Sequence, residues 1–154
     1  MKRFLLAPTA LCVALLVPSS ASAYSDGSYS GKTSQNQNMR FKVVTKTKHV
    51  GRRIVHTRYI RVANPWTTFA VSCPDGRVFR IETHSSPSVD IAINSAGKFS
   101  WSLPRGGFPL TFSGRLSGSG HSSVASGKAN DTLNGETHGH SCTTGQLSWS
   151  ARRR

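Results

Sequence analysis

Along most of this chain apolar and polar side chains alternate with a period of two, and nowhere do apolar residues recur at helical spacing over three turns. Phe69, Val71 and Cys73 fall on one side, Pro74-Asp75-Gly76 intervenes as turn residues, and Phe79 with Ile81 resume the period, which is the pattern of a hairpin. Val89, Ile91 and Ile93 alternate with Asp90, Ala92 and Asn94. Ser95-Ala96-Gly97 then makes a turn, and Phe99, Trp101 and Leu103 alternate with Ser100 and Ser102. After a Pro/Gly loop over 104–109, Leu110, Phe112 and Leu116 take the inward positions and Thr111, Ser113 and Arg115 the outward ones. Gly114 occupies an inward position, where a missing side chain marks a bend or bulge of the kind a curved sheet requires. A turn over 117–123, a weak strand over 124–133 and a last strand through Leu147, Trp149 and Ala151 complete the pattern. It predicts an all-β domain of eight or nine short antiparallel strands, a small β-sandwich or a meander β-barrel, between which the alternation does not choose.

The N-terminal 23 residues interrupt this picture. Lys2 and Arg3 precede an apolar stretch from Phe4 to Val17, and Pro18 is followed by small residues ending in Ala21-Ser22-Ala23, the layout of a cleaved secretory signal with Tyr24 as the new N-terminus. The stretch is shorter than the roughly 20 residues needed to cross a hydrocarbon core, and no later segment qualifies, so the mature chain is expected to carry no transmembrane segment. Residues 24–38 are small and polar and read as either a mobile arm or the approach to a first strand near Tyr29–Thr33, with 39–154 as a single β domain. Removal of 1–23 also removes Cys12. Cys73 and Cys142 then remain as a pair, and in an oxidising, extracellular compartment they are expected to join. The bridge would close a loop of about 70 residues, for which loop-closure entropy corresponds to about 4 kcal/mol.

The segments Tyr29-Ser30-Gly31-Lys32-Thr33-Ser34-Gln35, Cys73-Pro74-Asp75-Gly76, Gly97-Lys98-Phe99-Ser100, Phe112-Ser113-Gly114-Arg115-Leu116 and the closing run from Cys142 to Ala151 together resemble small secreted β proteins of actinobacteria. The resemblance implies export, the disulfide and a β fold, and brings no activity with it. The stretch Lys46–Trp66 falls outside it.

That stretch holds most of the densest chemical feature of the chain. The formal charge is +14, or +12 once Lys2 and Arg3 leave with the signal. Arg40, Lys42, Lys46, Lys48, Arg52, Arg53, Arg58 and Arg61 lie in one acid-free segment that reads as a hairpin turning near Gly51. By alternation Arg58 shares a face with His56 while Arg61 lies on the other. Two readings stand side by side: a solvated edge hairpin whose cations block strand-to-strand aggregation, or a surface for an anionic partner such as wall teichoic acid, an acidic polysaccharide, nucleic acid or a lipid surface. Tyr59 lies close by. Trp66, beside Pro65, is expected to be an exposed aromatic suited to stacking, whereas Trp101 and Trp149 continue apolar alternations and belong to the core.

Other chemistry has less behind it. His138, His140 and Cys142 have metal-ligand spacing, but Cys142 is committed to the disulfide, and no metal is expected. The mature acids Asp26, Asp75, Glu82, Asp90, Asp131 and Glu136 form no recognisable catalytic pair, and no GxSxG, HExxH or phosphate-binding glycine loop occurs. The expectation is therefore a secreted, non-enzymatic binding module without a cofactor that uses the basic hairpin 40–61. The alternative is a barrel or sandwich with a small-ligand pocket whose charge serves solubility only.

Overall fold

A computed structural model describes residues 24–62, 66–83, 88–105, 108–134 and 141–154. The expected signal segment 1–23, His84, Glu136, His138 and His140 lie outside the described residues. The chain is all-β with no α-helix among the described residues. Its strands, in chain order, are β1 (Gly27–Thr33), β2 (Asn38–Val50), β3 (Arg53–Val62), β4 (Thr67–Ser72), β5 (Val78–Thr83), β6 (Val89–Ala92), β7 (Lys98–Arg105), β8 (Phe108–Ser117), β9 (Val124–Asn134), β10 (Ser141–Thr143) and β11 (Leu147–Arg153). Eleven strands stand among the described residues where eight or nine were expected. One reason is that a three-residue strand such as β10 is too short to leave a periodicity.

Every pairing is antiparallel, and six strands close a ring in the order β1, β2, β4, β10, β9, β11. The choice that alternation left open thus falls to a barrel, with β3 and β6 extending from β2, β5 from β4, and β8 and β7 from β9. The ring is unevenly sewn. β1 pairs with β2 and β11 over long registers, whereas β2 meets β4 through Met39↔Thr67 alone and β4 meets β10 through Thr143↔Ser72 alone. Beside that last contact lies the Cys73–Cys142 disulfide, with Cα atoms 4.2 Å apart, in a small cluster with Val71, Phe79 and Ile81.

Residues 24–38, left open as arm or strand approach, are built into the fold. Tyr29 of β1 is buried and donates its hydroxyl to Ser25 O at 2.8 Å, and burial raises its pKa. Gln35, in the turn between β1 and β2, accepts from Ala70 N at 2.9 Å and donates to Ala70 O at 2.7 Å, so its side-chain amide supplies β4 with the pairing a neighbouring strand would otherwise give.

The core is a run of rings from many strands. Tyr29 stacks on Phe41, Phe41 meets Trp149 edge-on, Trp149 stacks on Phe112, and Phe112 meets Trp66, with centroids 4.8–5.9 Å apart. Trp149 fits because Gly114 and Gly127, paired across β8 and β9, leave room beneath its indole. A Cβ on either would approach the ring to within 2.6–2.7 Å. Gly114 does face inward as its place in the alternation required, and what it makes room for is this tryptophan.

Candidate basic hairpin

β2 and β3 pair from Lys42↔Arg61 to Val50↔Arg53 around a two-residue loop whose first residue, Gly51, takes φ 59°. A positive φ at that position belongs to a primed turn, whose twist matches that of the flanking strands. At its base the hairpin is part of the barrel. Phe41, Val43, Ile60 and Val62 are buried, β1 flanks β2 as far as Val43, and β6 flanks β3 as far as Tyr59. Beyond those points no described strand flanks either edge, and every residue from Thr45 to His56 is exposed. At about 3.4 Å per residue the arm from Thr45 to Val50 projects about 17 Å.

Because cross-strand partners share a face, the register sorts the eight cations. Arg40, Lys42, Lys46, Lys48, Arg53 and Arg61 lie on the face turned away from the core, Arg58 on the opposite face with His56, and Arg52 in the loop. The split between Arg58 and Arg61 follows the alternation. Acids brought in from elsewhere neutralise three of the eight. Arg61 donates to Asp90 at 2.8 and 3.1 Å, and Lys46 lies 2.5 Å from the same carboxylate. The hydrogen bond from Arg61, with that of Lys46, lowers the Asp90 pKa to about 2. Asp26 accepts from Thr45 N and Oγ1 at 2.8 and 2.9 Å and sits 3.7 Å from Arg58, whose guanidinium lies over the Tyr24 ring. No described acid pairs with Arg40, Lys42, Lys48, Arg52 or Arg53, all of which are exposed.

Trp66 is not an exposed aromatic. It is 2% exposed, packs edge-on against Phe69 and Phe112, and accepts from Arg40 N through its carbonyl at 2.9 Å. The segment leading into β4 meets β2 where the ring closes, and the indole fills that end of the core. A loop position beside proline carried no sign of this. The aromatic that does accompany the cations is Tyr59, with Lys46 Nζ 5.3 Å from its ring centroid.

Two further features escaped the sequence reading. Val50, Ile54 and Val55 at the hairpin tip are 55, 58 and 42% exposed. The adjacency of Ile54 and Val55 was the available signal, since consecutive strand residues face opposite sides and two apolar neighbours cannot both face one core. The second is a shallow hollow of about 610 Å³ on the outer surface of β6 to β9, lined by Lys98, Arg115 and Lys128 with Ser100, Ser113 and Ser126. Its cations are far apart in sequence and meet only through the registers Lys98↔Arg115, Arg115↔Ser126 and Ser113↔Lys128.

The remaining acids are placed separately. Asp75 pairs with Arg77 within a turn, and Asp131 is buried, its pKa raised by desolvation. Among the described residues no group of three or more His, Cys, Asp or Glu could hold a metal ion, and no helix is long and apolar enough to cross a membrane.

Fold and site together define a disulfide-bridged antiparallel barrel that presents a projecting cationic hairpin. No protein-family model, curated protein or solved structure matches the chain.

Proposed function

We propose that this protein is a secreted, non-enzymatic binding module that uses the β2–β3 hairpin against an anionic polymer or another anionic component of a cell surface. The carrying observation is the acid-free arm 45–57, which leaves the barrel with Lys48, Arg52 and Arg53 exposed and without an acid partner among the described residues. A two-stranded hairpin is only marginally stable by itself, and an extended arm adds little to a fold whose core lies elsewhere. Solvation of one edge would need neither this length nor this density of positive charge. Export is supported by the N-terminal signal pattern and the resemblance to secreted actinobacterial proteins, and a disulfide suits that compartment.

A small-ligand site is the second reading, and the hollow at Lys98, Arg115 and Lys128 favours it over a pocket inside the barrel, where the aromatic cluster fills the space. One experiment separates the two. Neutralising Lys48, Arg52 and Arg53 to Gln should weaken binding to a soluble polyanion such as polyphosphate and lower the slope of log affinity against log salt by about 2 to 3. Neutralising Lys98, Arg115 and Lys128 should leave both nearly unchanged. The reverse result would move the site to the hollow, and equal losses would mean diffuse attraction by the whole charge. Absence of binding at low salt to polyphosphate and anionic vesicles alike would remove the reading.

A further inference from the structure

Resting on that reading of the hairpin, we infer that its partner is an anionic lipid surface, and that the tip enters the headgroup region with Val50, Ile54 and Val55 as its apolar anchor. Cations alone would serve a soluble polyanion. These three side chains would not, because a hydrated polymer offers them nothing better than water does. They are three of the four exposed large hydrophobics among the described residues, the fourth being Val78 on β5. All three lie within the last three residue pairs before the loop, Lys48↔Val55, His49↔Ile54 and Val50↔Arg53. Those pairs span about 7 Å along the strands, which fits the 5–10 Å depth to which interfacial segments bury their apolar face.

The cations are placed for the same task. Lys48, Arg52 and Arg53 are interleaved with the aliphatic residues, and their long stems allow the charges to remain among lipid phosphates while the tip sinks. Further back, Lys46 is held by Asp90 and Arg58 by Asp26, so the charge left to a partner near the apolar residues is that of the tip. The backbone sets the limit of entry. Both hairpin edges carry unpaired N–H and C=O groups, which cannot be left in hydrocarbon, so the tip is confined to the hydrated interface and does not cross the bilayer.

The test uses the disulfide-bonded chain beginning at Tyr24 and vesicles of phosphatidylcholine with or without about one third phosphatidylglycerol, alongside soluble polyphosphate. The expected result is binding to the anionic and not to the neutral vesicles, reduced at least tenfold by the combined substitution V50S/I54S/V55S, with affinity for polyphosphate unchanged. An I54W variant should show a blue-shifted emission component on vesicle binding and quenching by lipids brominated near the headgroup end of their chains. If V50S/I54S/V55S binds anionic vesicles as tightly as the unaltered chain, or if the tip tryptophan stays water-exposed on vesicles, the apolar anchor is overturned while the electrostatic reading stands. Binding to polyphosphate without binding to vesicles overturns the lipid partner and again leaves the hairpin reading. Binding to neither overturns both.

Discussion

Gly127 shows how a single residue can decide whether the core assembles. A Cβ there would sit 1.9 Å from Ser113 O, 2.6 Å from Gly114 Cα and 2.7 Å from the Trp149 ring, so two backbones and an indole would have to move. Gly127→Ala should destabilise by about 3 kcal/mol or more, read as a shifted urea midpoint or loss of soluble protein. At Gln35 the side chain substitutes for a strand. Gln35→Ala leaves both backbone groups of Ala70 without this partner and should cost about 1–3 kcal/mol, whereas Gln35→Glu, which can accept but not donate, should restore only the bond from Ala70 N. Asp90 gives a pH signature. Its pKa is lowered from 3.8 to about 2 by Arg61 and Lys46, so the stabilisation is present above 3.8 and is lost as the pH falls through about 2. Both cations are partly exposed and solvent screens the pair, so the effect is about 1 kcal/mol. Asp90→Asn should flatten the decline in melting temperature between pH 4 and 2.

Among the elements, β10 and the hairpin stand at opposite extremes of support. β10 has three residues and joins β4 through one pair, so the adjacent Cys73–Cys142 bridge holds that side of the ring together. Replacing both cysteines by serine should cost about 4 kcal/mol, measured by urea denaturation against the oxidised protein. Hydrogen exchange should quicken first in β4 and β10, which that bridge joins, while β1, β2 and β11 keep their protection. The tip of β2–β3 lies outside all this. Surface substitutions there should change stability by no more than about 0.5 kcal/mol each, which makes the hairpin variants readable as binding mutants. The tip amides should exchange fastest of the two strands and become protected on anionic vesicles.

For the whole molecule, strand positions, turns and the outward or inward sense of most residues were legible in the chain because a half-buried strand writes its two faces directly into a period-two pattern. Phe69, Phe99, Phe112, Trp149 and the inward Gly114 were all readable this way, while the pairing of Cys73 with Cys142 followed from their being the only two cysteines after residue 23. The hairpin's cations were visible as an acid-free run, but their pairing was not, since Asp90 arrives on β6 and Asp26 from the residues just before β1. Trp66 was misread because no local pattern reports that a loop residue lies where a ring closes. The hollow at Lys98, Arg115 and Lys128 was hidden for a related reason, as it exists only through the registers of β7, β8 and β9. The amino-acid sequence alone determined the β class, the turns, the disulfide partners and the excess of positive charge, because each follows from composition or from neighbours a few residues away. Tertiary structure alone decided that the strands close into a ring, which cations are left without acids, and that Val50, Ile54 and Val55 at the hairpin tip lie beyond the reach of the core. Those facts depend on which distant strands lie side by side, and pairing between distant strands is selected by the packing of the entire core.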